Sequence, residues 1–442
     1  MDATASNVDN TGTRSENTPD EAKPNSHISI GDTSVEDIPN ENIHYEDLPR
    51  IESFDEDAVE EYVTGELVNT LYAVSNKISE LSVQQVEYAE TPQSNGSYNR
   101  WAVELSRGVC NAEDCENRDG LLTCSDCKAA LYCSKVHQIT DFEFHRPHCI
   151  RVRDALKSLA EEEAKLRAFP GDDDLPANPF ETARGRFRFS EAATPYLDQK
   201  CRVISMLHGF ENYLAVKMML KHCLDALHLE HTDARNVPGL YLRLGREQDA
   251  YDFMKWCTVP TREEFDWATF AGEFLSYHDE DILESPDLFI DYPNLLSHIV
   301  CLTQVKLRLL LDLRMLQREA KKYGKQNADY KTKMAWVREH AISEILYKRP
   351  DIVKRNDWKD LISDINDQVK QLYKRVKDRN KHYWPALDDP CKWEGALPDD
   401  DDWTPGGEDE VATLFMLTWD SWKECRPALT AIRIYAISQL DH

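Results

Sequence analysis

Eight potential zinc ligands fall in one short stretch of this 442-residue chain, and no other feature constrains its fold as strongly. In order they are Cys110, Cys115, Cys124, Cys127, Cys133, His137, His145 and Cys149. Thiolate sulfur and imidazole nitrogen suit Zn²⁺, and a structural site takes four such ligands in a tetrahedron. Eight ligands therefore predict two closed sites holding two Zn²⁺ ions, with no open position for catalysis.

Metal binding is expected to take the place of a hydrophobic core in this segment, because it contains few large apolar residues. A structural zinc can supply about 10–16 kcal/mol at neutral pH. The short Cys124–Cys127 pair lets a tight turn point two sulfurs at one ion. Two alternatives, buried reduced cysteines and a disulfide framework, fit less well. The other six cysteines are scattered without pattern, and no apolar secretory segment follows Met1, as in an intracellular chain.

The order and spacing of the ligands carry a family resemblance. Residues 132–138, Tyr-Cys-Ser-Lys-Val-His-Gln, followed by Asp-Phe-Glu-Phe-His at 141–145 and then Cys149, resemble a MYND-type zinc finger. That family is typified by Y-C-S-x-x-C-Q, then D-W-x-x-H-x-x-x-C. His137 stands in place of the usual sixth cysteine, and Phe142 in place of the tryptophan. The gap between the first two cysteines is four residues rather than two.

The resemblance also implies how the ligands divide between the ions, since MYND fingers interleave their two sites. One zinc would then take Cys110, Cys115, Cys133 and His137, and the other would take Cys124, Cys127, His145 and Cys149. His148 is a competing ligand, but we expect it to point elsewhere because it adjoins a ligand. A HIT-type finger is a further alternative, whose shorter spacing before the last histidine fits less well.

A peptide-binding role is a second implication of the resemblance. Fingers of this family take up short proline-containing peptides from regulatory proteins, laid as an added strand beside a small hairpin. The groove positions of the family fall on Gln138 and Phe142 here. Alternatively, Gln138 simply faces solvent and Phe142 only covers the zinc cluster. The expected function is a zinc-dependent protein interaction module in an adaptor or regulatory protein.

The charge of the chain disfavours membranes and nucleic acid as generic partners. The formal net charge is −28, whereas phosphate backbones attract clusters of Lys and Arg. No apolar run approaches the roughly 20 residues of a bilayer span, so we expect a soluble protein of the nucleus or cytoplasm. One exception is residues 303–385, with 21 Lys or Arg against 11 Asp or Glu, a net of +10. We interpret it as a solvated helix face, and nucleic-acid binding through these helices stays as an alternative.

Composition and periodicity divide the chain into five parts and predict a mainly α protein. These are a disordered acidic tail (1–50), an amphipathic helix and linker (51–100), the finger (106–150), an exit helix and acidic linker (151–188), and a helical domain (189–442). The helical domain is expected to be an irregular bundle or a short α-solenoid. No repeat recurs at the roughly 34-residue period of a full tetratricopeptide array.

Two segments of the helical domain give more specific predictions. Residues 237–256 predict a helix, a turn at Gly245 and a second helix, which resembles one tetratricopeptide-like unit. The last helix is predicted from about Val411 to Leu440, after an acidic loop at Asp399–Asp402.

We do not expect an enzyme. The nearest enzymatic class with such a finger is the SET-domain lysine methyltransferases, which carry an Asn-His-x-Cys stretch that is missing here. The chain has no G-x-G-x-x-G, Walker-type, H-E-x-x-H or G-x-S-x-G motif. A methyltransferase relative therefore remains only as a disfavoured alternative.

Overall fold

The computed structural model describes residues 108–230, 234–259, 265–266, 271–291, 295–324, 328–394 and 404–438. All of them belong to one compact unit of the chain, residues 42–442. The predicted acidic tail (1–50) and amphipathic helix (51–100) lie outside the described residues, as does the acidic loop at Asp399–Asp402.

The finger is built from one hairpin and two helices. Strands β1 (Leu122–Thr123) and β2 (Leu131–Tyr132) pair antiparallel, with Leu122 opposite Tyr132 and Thr123 opposite Leu131. Helix α1 (Lys135–Thr140) follows directly, and α2 (Phe142–Arg167) begins after Asp141. Helix α2 continues without a break through the end of the finger, so the predicted boundary at residue 150 falls inside a helix.

Helices dominate the rest of the described chain. They are α3 (Pro179–Thr182), α4 (Thr194–Leu207), α5 (Tyr213–Glu230), α6 (Val237–Arg243), α7 (Glu247–Thr258), α8 (Asp287–Asp291), α9 (Leu296–Lys322), α10 (Tyr330–His340), α11 (Ile345–Lys348), α12 (Pro350–Val353), α13 (Lys359–Arg379), α14 (Tyr383–Ala386), α15 (Glu408–Lys423) and α16 (Arg426–Ser438). Short 3₁₀ turns lie at Phe187–Phe189, Ala234–Asn236 and Pro390–Lys392, and a second hairpin pairs β3 (Phe265–Asp266) with β4 (Ala271–Gly272). The mainly α prediction is confirmed.

Helix α9 lies at the centre of the helical domain and is buried along most of its length. It packs most extensively against α13 and also contacts α6, α7, α10, α15 and α16. A solenoid repeat contacts only its neighbours in the chain. The convergence of distant helices on α9 therefore favours the irregular bundle over the α-solenoid.

Charged side chains are also buried on α9, where each has specific partners. Arg308 donates from Nη1 to Glu247 Oε1 at 2.7 Å and to the Leu242 carbonyl at 3.0 Å, and both members of the ion pair are fully buried. Lys306 Nζ donates to the Ile282 carbonyl at 2.6 Å. Buried charges need such partners because desolvation without them is costly. These contacts join α9 to segments far away in sequence.

The helix pair predicted around Gly245 is present. Helix α6 ends at Arg243, and α7 begins at Glu247 after Gly245, whose φ is +64°. A glycine tolerates this left-handed conformation because it has no Cβ. The single C-terminal helix predicted from Val411 is wrong, because the chain forms α15 and α16 with a break at Glu424–Cys425. Pro427 supplies the reason, since its ring would clash with a preceding helical turn.

Helix α2 joins the finger to the helical domain. Its buried face includes Val152, Ala155, Leu159 and Leu166, and it packs extensively against α4. The segment that carries two predicted zinc ligands is thus the same helix that closes onto the bundle. None of the helices in the described part of the chain combines the length and the apolar character that a membrane span requires.

Candidate metal centre

The first cluster of ligands joins the loop before the hairpin to the start of α1. Cys110 and Cys115 belong to that loop, Cys133 follows β2, and His137 lies on α1. The loop is fastened to β2 by Asn111, whose backbone N–H donates to the Leu131 carbonyl at 2.7 Å and whose side-chain oxygen accepts from the Leu131 N–H at 2.8 Å. These contacts bring residues more than twenty positions apart to one site.

The geometry of α1 follows from its cap. Ser134 is the N-cap residue, and its hydroxyl accepts a hydrogen bond from the backbone N–H of His137 at 3.2 Å. A serine at this position satisfies a backbone donor that the first turn of a helix leaves free. The cap starts the helix directly after Cys133, so that Cys133 and His137 both face the first cluster.

The second cluster joins the turn after β1 to the N-terminal part of α2. The Cys124 N–H donates to the Ala130 carbonyl at 2.9 Å, and the Lys128 N–H donates to the Cys124 carbonyl at 3.1 Å. This tight turn orients Cys124 and Cys127 the same way. His145 and Cys149 are four residues apart on α2 and so share one helix face.

The separations of the donor atoms fit two tetrahedral zinc sites. In the first cluster Cys115 Sγ lies 3.8 Å from Cys133 Sγ, and Cys110 Sγ lies 3.5 Å from His137 Nδ1. Bond lengths of about 2.3 Å to sulfur and about 2.0–2.1 Å to nitrogen require edges of about 3.8 Å and about 3.5 Å in a tetrahedron. The distance from Cys133 Sγ to His137 Nδ1, 3.1 Å, is shorter. All four donor atoms lie within 4.8 Å of one another.

The donor separations in the second cluster also fit a tetrahedral zinc site. Cys124 Sγ lies 3.8 Å from Cys149 Sγ, and Cys127 Sγ lies 3.6 Å from His145 Nε2. Its four donors also lie within 4.8 Å of one another. The two clusters therefore fit two zinc ions, with the ligands divided between them as the resemblance implies.

The two clusters differ in their access to water. All four residues of the second cluster are buried, whereas three of the first, Cys115, Cys133 and His137, are only half-buried. The difference arises because α2 covers the second cluster and the helical domain packs against it. The first cluster lies nearer the surface of the finger.

Burial and mutual crowding disfavour a cluster of free thiolates. Hydrogen bonds from Cys127 and Cys149 lower the pKa of Cys124, and the same contacts raise the pKa of Cys127 to about 12 and raise that of Cys149. The neighbours thus support one thiolate, but further negative charge at the same site is repelled. A divalent cation would allow all three sulfurs to ionise together, which is the state that zinc requires.

In the first cluster, the pKa values of Cys110 and Cys133 are shifted in opposite directions. Burial raises the pKa of Cys110, whereas a hydrogen bond from the Asn117 side chain lowers the pKa of Cys133. Asn117 also accepts the Cys110 N–H on its backbone carbonyl at 2.9 Å. It therefore orders the loop around this cluster without being a ligand.

Aromatic contacts hold the second cluster in place. The Tyr132 hydroxyl donates to Asp141 Oδ2 at 2.5 Å, and the Tyr132 ring packs edge-on against His145 with centroids 5.8 Å apart. His145 also contacts Phe210, in the loop between α4 and α5, with ring centroids 5.6 Å apart. These contacts were not predicted from the sequence. Tyr132 and Asp141 stand inside the motif, but nothing local to Phe210 indicates its contact.

His148, the competing ligand, lies outside both clusters, as expected. Its Nδ1 lies 3.1 Å from an Arg151 guanidinium nitrogen, and its ring packs edge-on against Phe210. Burial is the largest factor that lowers the pKa of His148. This histidine helps to seat α2 on the helical domain.

The two residues predicted to line a peptide groove differ in exposure. Gln138 is only 3% exposed, and its Nε2 has no hydrogen-bond partner in the part of the chain that the structure describes. Phe142 is partly buried and lies under the Arg146 guanidinium, which is 5.7 Å from the ring centroid. The alternative that Gln138 faces solvent does not match this burial.

Comparison with known protein families agrees with the geometry. Residues 109–149 match the family model of the MYND finger. This segment is a MYND finger. The match spans the whole interleaved ligand set and ends at Cys149. No curated protein and no solved structure matches the chain.

The MYND finger is a protein interaction domain, so the predicted role in protein–protein interaction follows from the match. The structure shows how the finger accommodates two departures from the family pattern. His137 occupies the first cluster as a nitrogen ligand, and the longer gap after Cys110 is accommodated by a turn in which the Cys115 N–H donates to the Ala112 carbonyl at 3.1 Å. The finger thus keeps two four-ligand sites with this altered ligand set.

Proposed function

We propose that this protein is an intracellular adaptor or regulatory protein whose MYND finger docks short proline-containing peptides of partner proteins. The observation that carries the proposal is the two-site finger itself, with a hairpin whose outer strand edge pairs with no other strand in the described part of the chain. The helical domain would then act as a scaffold that presents the finger.

The open edge belongs to β1. Hydrogen-bonded and non-hydrogen-bonded pairs alternate along an antiparallel ladder. The Cys124 N–H bonds to the Ala130 carbonyl, so Cys124–Ala130 is a hydrogen-bonded pair. The adjacent Thr123–Leu131 pair therefore turns its N–H and C=O groups outward. On β2 those outward groups are bound by Asn111, as described above. On β1 the backbone groups of Thr123 have no partner among the described residues, so a peptide strand could pair there.

Gln138 also supports peptide binding, but its buried side chain would have to move when the peptide binds. A buried donor without a partner costs about 1–3 kcal/mol, which a hydrogen bond to a peptide carbonyl would recover. Since Gln138 is covered in the free finger, we infer that its amide turns outward when a peptide binds. Phe142 is partly exposed and can contact a proline ring directly.

Binding, rather than catalysis, is also the role that the metal sites support. Each cluster has four protein donors, which fill a tetrahedral zinc and leave no position for substrate or activated water. We therefore propose that the protein is not an enzyme, and that both zinc ions are structural.

Nucleic-acid binding through residues 303–385 receives less support. Several of the basic side chains in that segment are turned inward, including Lys306, Arg308 and Lys333, all of which are buried. Others pair along their own helix, such as Lys370 with Asp367 at 2.7 Å. The net positive charge of the segment therefore overstates the basic surface that is free for phosphate groups.

A random peptide library displayed on phage, panned against the full zinc-loaded chain, tests the proposal. We expect enrichment of proline-containing sequences, and an affinity loss of about thirtyfold when Gln138→Ala and Phe142→Ala are combined. The matched control is Phe189→Ala, an exposed phenylalanine outside the finger. Both variants must retain two zinc ions. Unchanged binding by the double variant would refute the groove, and binding of S-adenosylmethionine would support the methyltransferase alternative.

A further inference from the structure

The finger carries a second surface that is distinct from the proposed peptide groove at Gln138 and Phe142. A pocket of about 390 Å³ is lined by Ala112, Glu113, Asp114, Val136, His137, Thr140, Asp141 and Phe144. Val136 and Thr140 are four residues apart on α1 and share a face, whereas Gln138 projects from the opposite side of that helix. The two surfaces therefore lie on different sides of α1.

Apolar exposure is unusually high at this pocket. Phe144 is 75% exposed and Val136 is 65% exposed. Neither residue is a zinc ligand, and neither contributes to the core of the helical domain. An apolar side chain in water gains free energy when a partner covers it, at roughly 25 cal/mol per Å². Two such residues at the wall of one pocket mark a surface on which a partner's apolar side chain can pack.

The charged residues that line the pocket are all acidic. Glu113, Asp114 and Asp141 contribute three carboxylates, and no Lys or Arg is among the lining residues. Glu113 and Asp114 are exposed. Asp141 accepts a hydrogen bond from Tyr132 and remains available on its other oxygen sites. A carboxylate rim attracts cationic groups and repels acidic ones, and therefore selects between partners.

The pocket depends on a feature that sets this chain apart from the usual family pattern. Ala112, Glu113 and Asp114 all lie in the four-residue gap between Cys110 and Cys115, where the family usually has two residues. The longer gap supplies three of the eight lining residues and two of the three carboxylates.

We propose that this pocket binds a partner-protein segment in which an aromatic or long aliphatic side chain is flanked by Lys or Arg. The apolar side chain packs against Phe144 and Val136, and the flanking cation faces Glu113 and Asp114. The volume lies within the range of about 300–1,000 Å³ that is common for ligand sites, which leaves room for a large side chain and part of its neighbour. This surface does not depend on the proposed proline-peptide groove.

Phage panning of the full zinc-loaded chain also tests this proposal, with variants of its own. We expect a second class of enriched peptides, which combine an aromatic or aliphatic residue with adjacent Lys or Arg. Phe144→Ala should weaken their binding about thirtyfold, and the combination Glu113→Lys with Asp114→Lys should weaken it at least as much. The matched controls are Phe189→Ala and Asp173→Lys, at exposed positions outside the finger, which should bind as the parent chain does.

Zinc content and selectivity separate the outcomes. Every variant must hold two zinc ions, so that lost binding reports the pocket and not the fold. Gln138→Ala should leave the basic peptides bound, and Phe144→Ala should leave the proline-containing peptides bound, so each proposal can fail alone. Enrichment of acidic peptides, no enrichment of basic apolar ones, or equal binding by Phe144→Ala would overturn the pocket proposal. A concentration-dependent dimer abolished by Phe144→Ala would also overturn it, because the occupant would be a second copy of the chain.

Discussion

Replacing one ligand of the first cluster should unfold the whole finger, because the two sites are interleaved. Cys133→Ala removes a zinc site that supplies about 10–16 kcal/mol. Within residues 108–149, Tyr132 is the only large hydrophobic side chain, other than the zinc ligands, that is buried. Its burial contributes about 1.5–3 kcal/mol, far too little to compensate. Cys133 also adjoins Tyr132 and the Ser134 cap, so its loss disturbs contacts that hold the second cluster.

The assay is the zinc content of the purified full chain, together with amide hydrogen exchange over residues 108–149. The parent should contain two zinc ions, and Cys133→Ala should contain fewer and lose protection around Cys124 and Cys127 as well. Cys391→Ala changes an exposed cysteine outside both clusters and should retain both ions. His137→Cys should also retain both ions, since sulfur ligates zinc as readily as nitrogen. Full protection of the second cluster in Cys133→Ala would show that the two sites fold independently.

Three further predictions concern the helical domain. Glu247→Gln leaves the buried Arg308 charge unpaired and should destabilise the chain by about 3–5 kcal/mol in urea unfolding, whereas Asp367→Asn at an exposed pair should cost under about 1 kcal/mol. Burial lowers the pKa of Lys306 to about 7, so the unfolded chain binds more protons between pH 7 and the ordinary lysine pKa, and this residue should make stability rise with pH over that window. Lys306→Met should remove that rise in stability. An unchanged pH dependence of stability in this variant would contradict the prediction. A fragment of residues 178–442 should give helical circular dichroism and a cooperative melt that a zinc chelator does not alter, and an unfolded fragment would show that the bundle needs the finger.

The metal centre was largely predictable because its information is local. Ligand chemistry and spacing indicated two sites, and the motif around Cys133 indicated the family, whose interleaving gave the division of the ligands. The helix pair around Gly245 was predictable for a similar reason, since the glycine and the flanking apolar spacing lie within one short window. Local patterns of this kind predict structure without information about distant contacts.

Other features were not visible in local patterns. The wrong single helix after Val411 arose because the apolar periodicity continues across Cys425, while the proline that follows ends the first helix and starts another. The sequence of the basic segment 303–385 predicts a charged surface. In the structure, however, Lys306 and Arg308 are buried and bind a carbonyl and a carboxylate from other parts of the fold. Charge in a sequence does not reveal which residues find such partners.

The amino-acid sequence by itself determined the chemistry of this protein: two zinc sites, a mainly helical class and a strongly acidic chain. The tertiary structure alone decided which surfaces the finger presents. It buried Gln138, left Phe144 exposed beside an acidic loop, and seated His145 against Phe210. The physical reason is that ligand identity and helix periodicity are properties of neighbouring residues. Burial, by contrast, depends on contacts between residues that the chain brings together only when it folds.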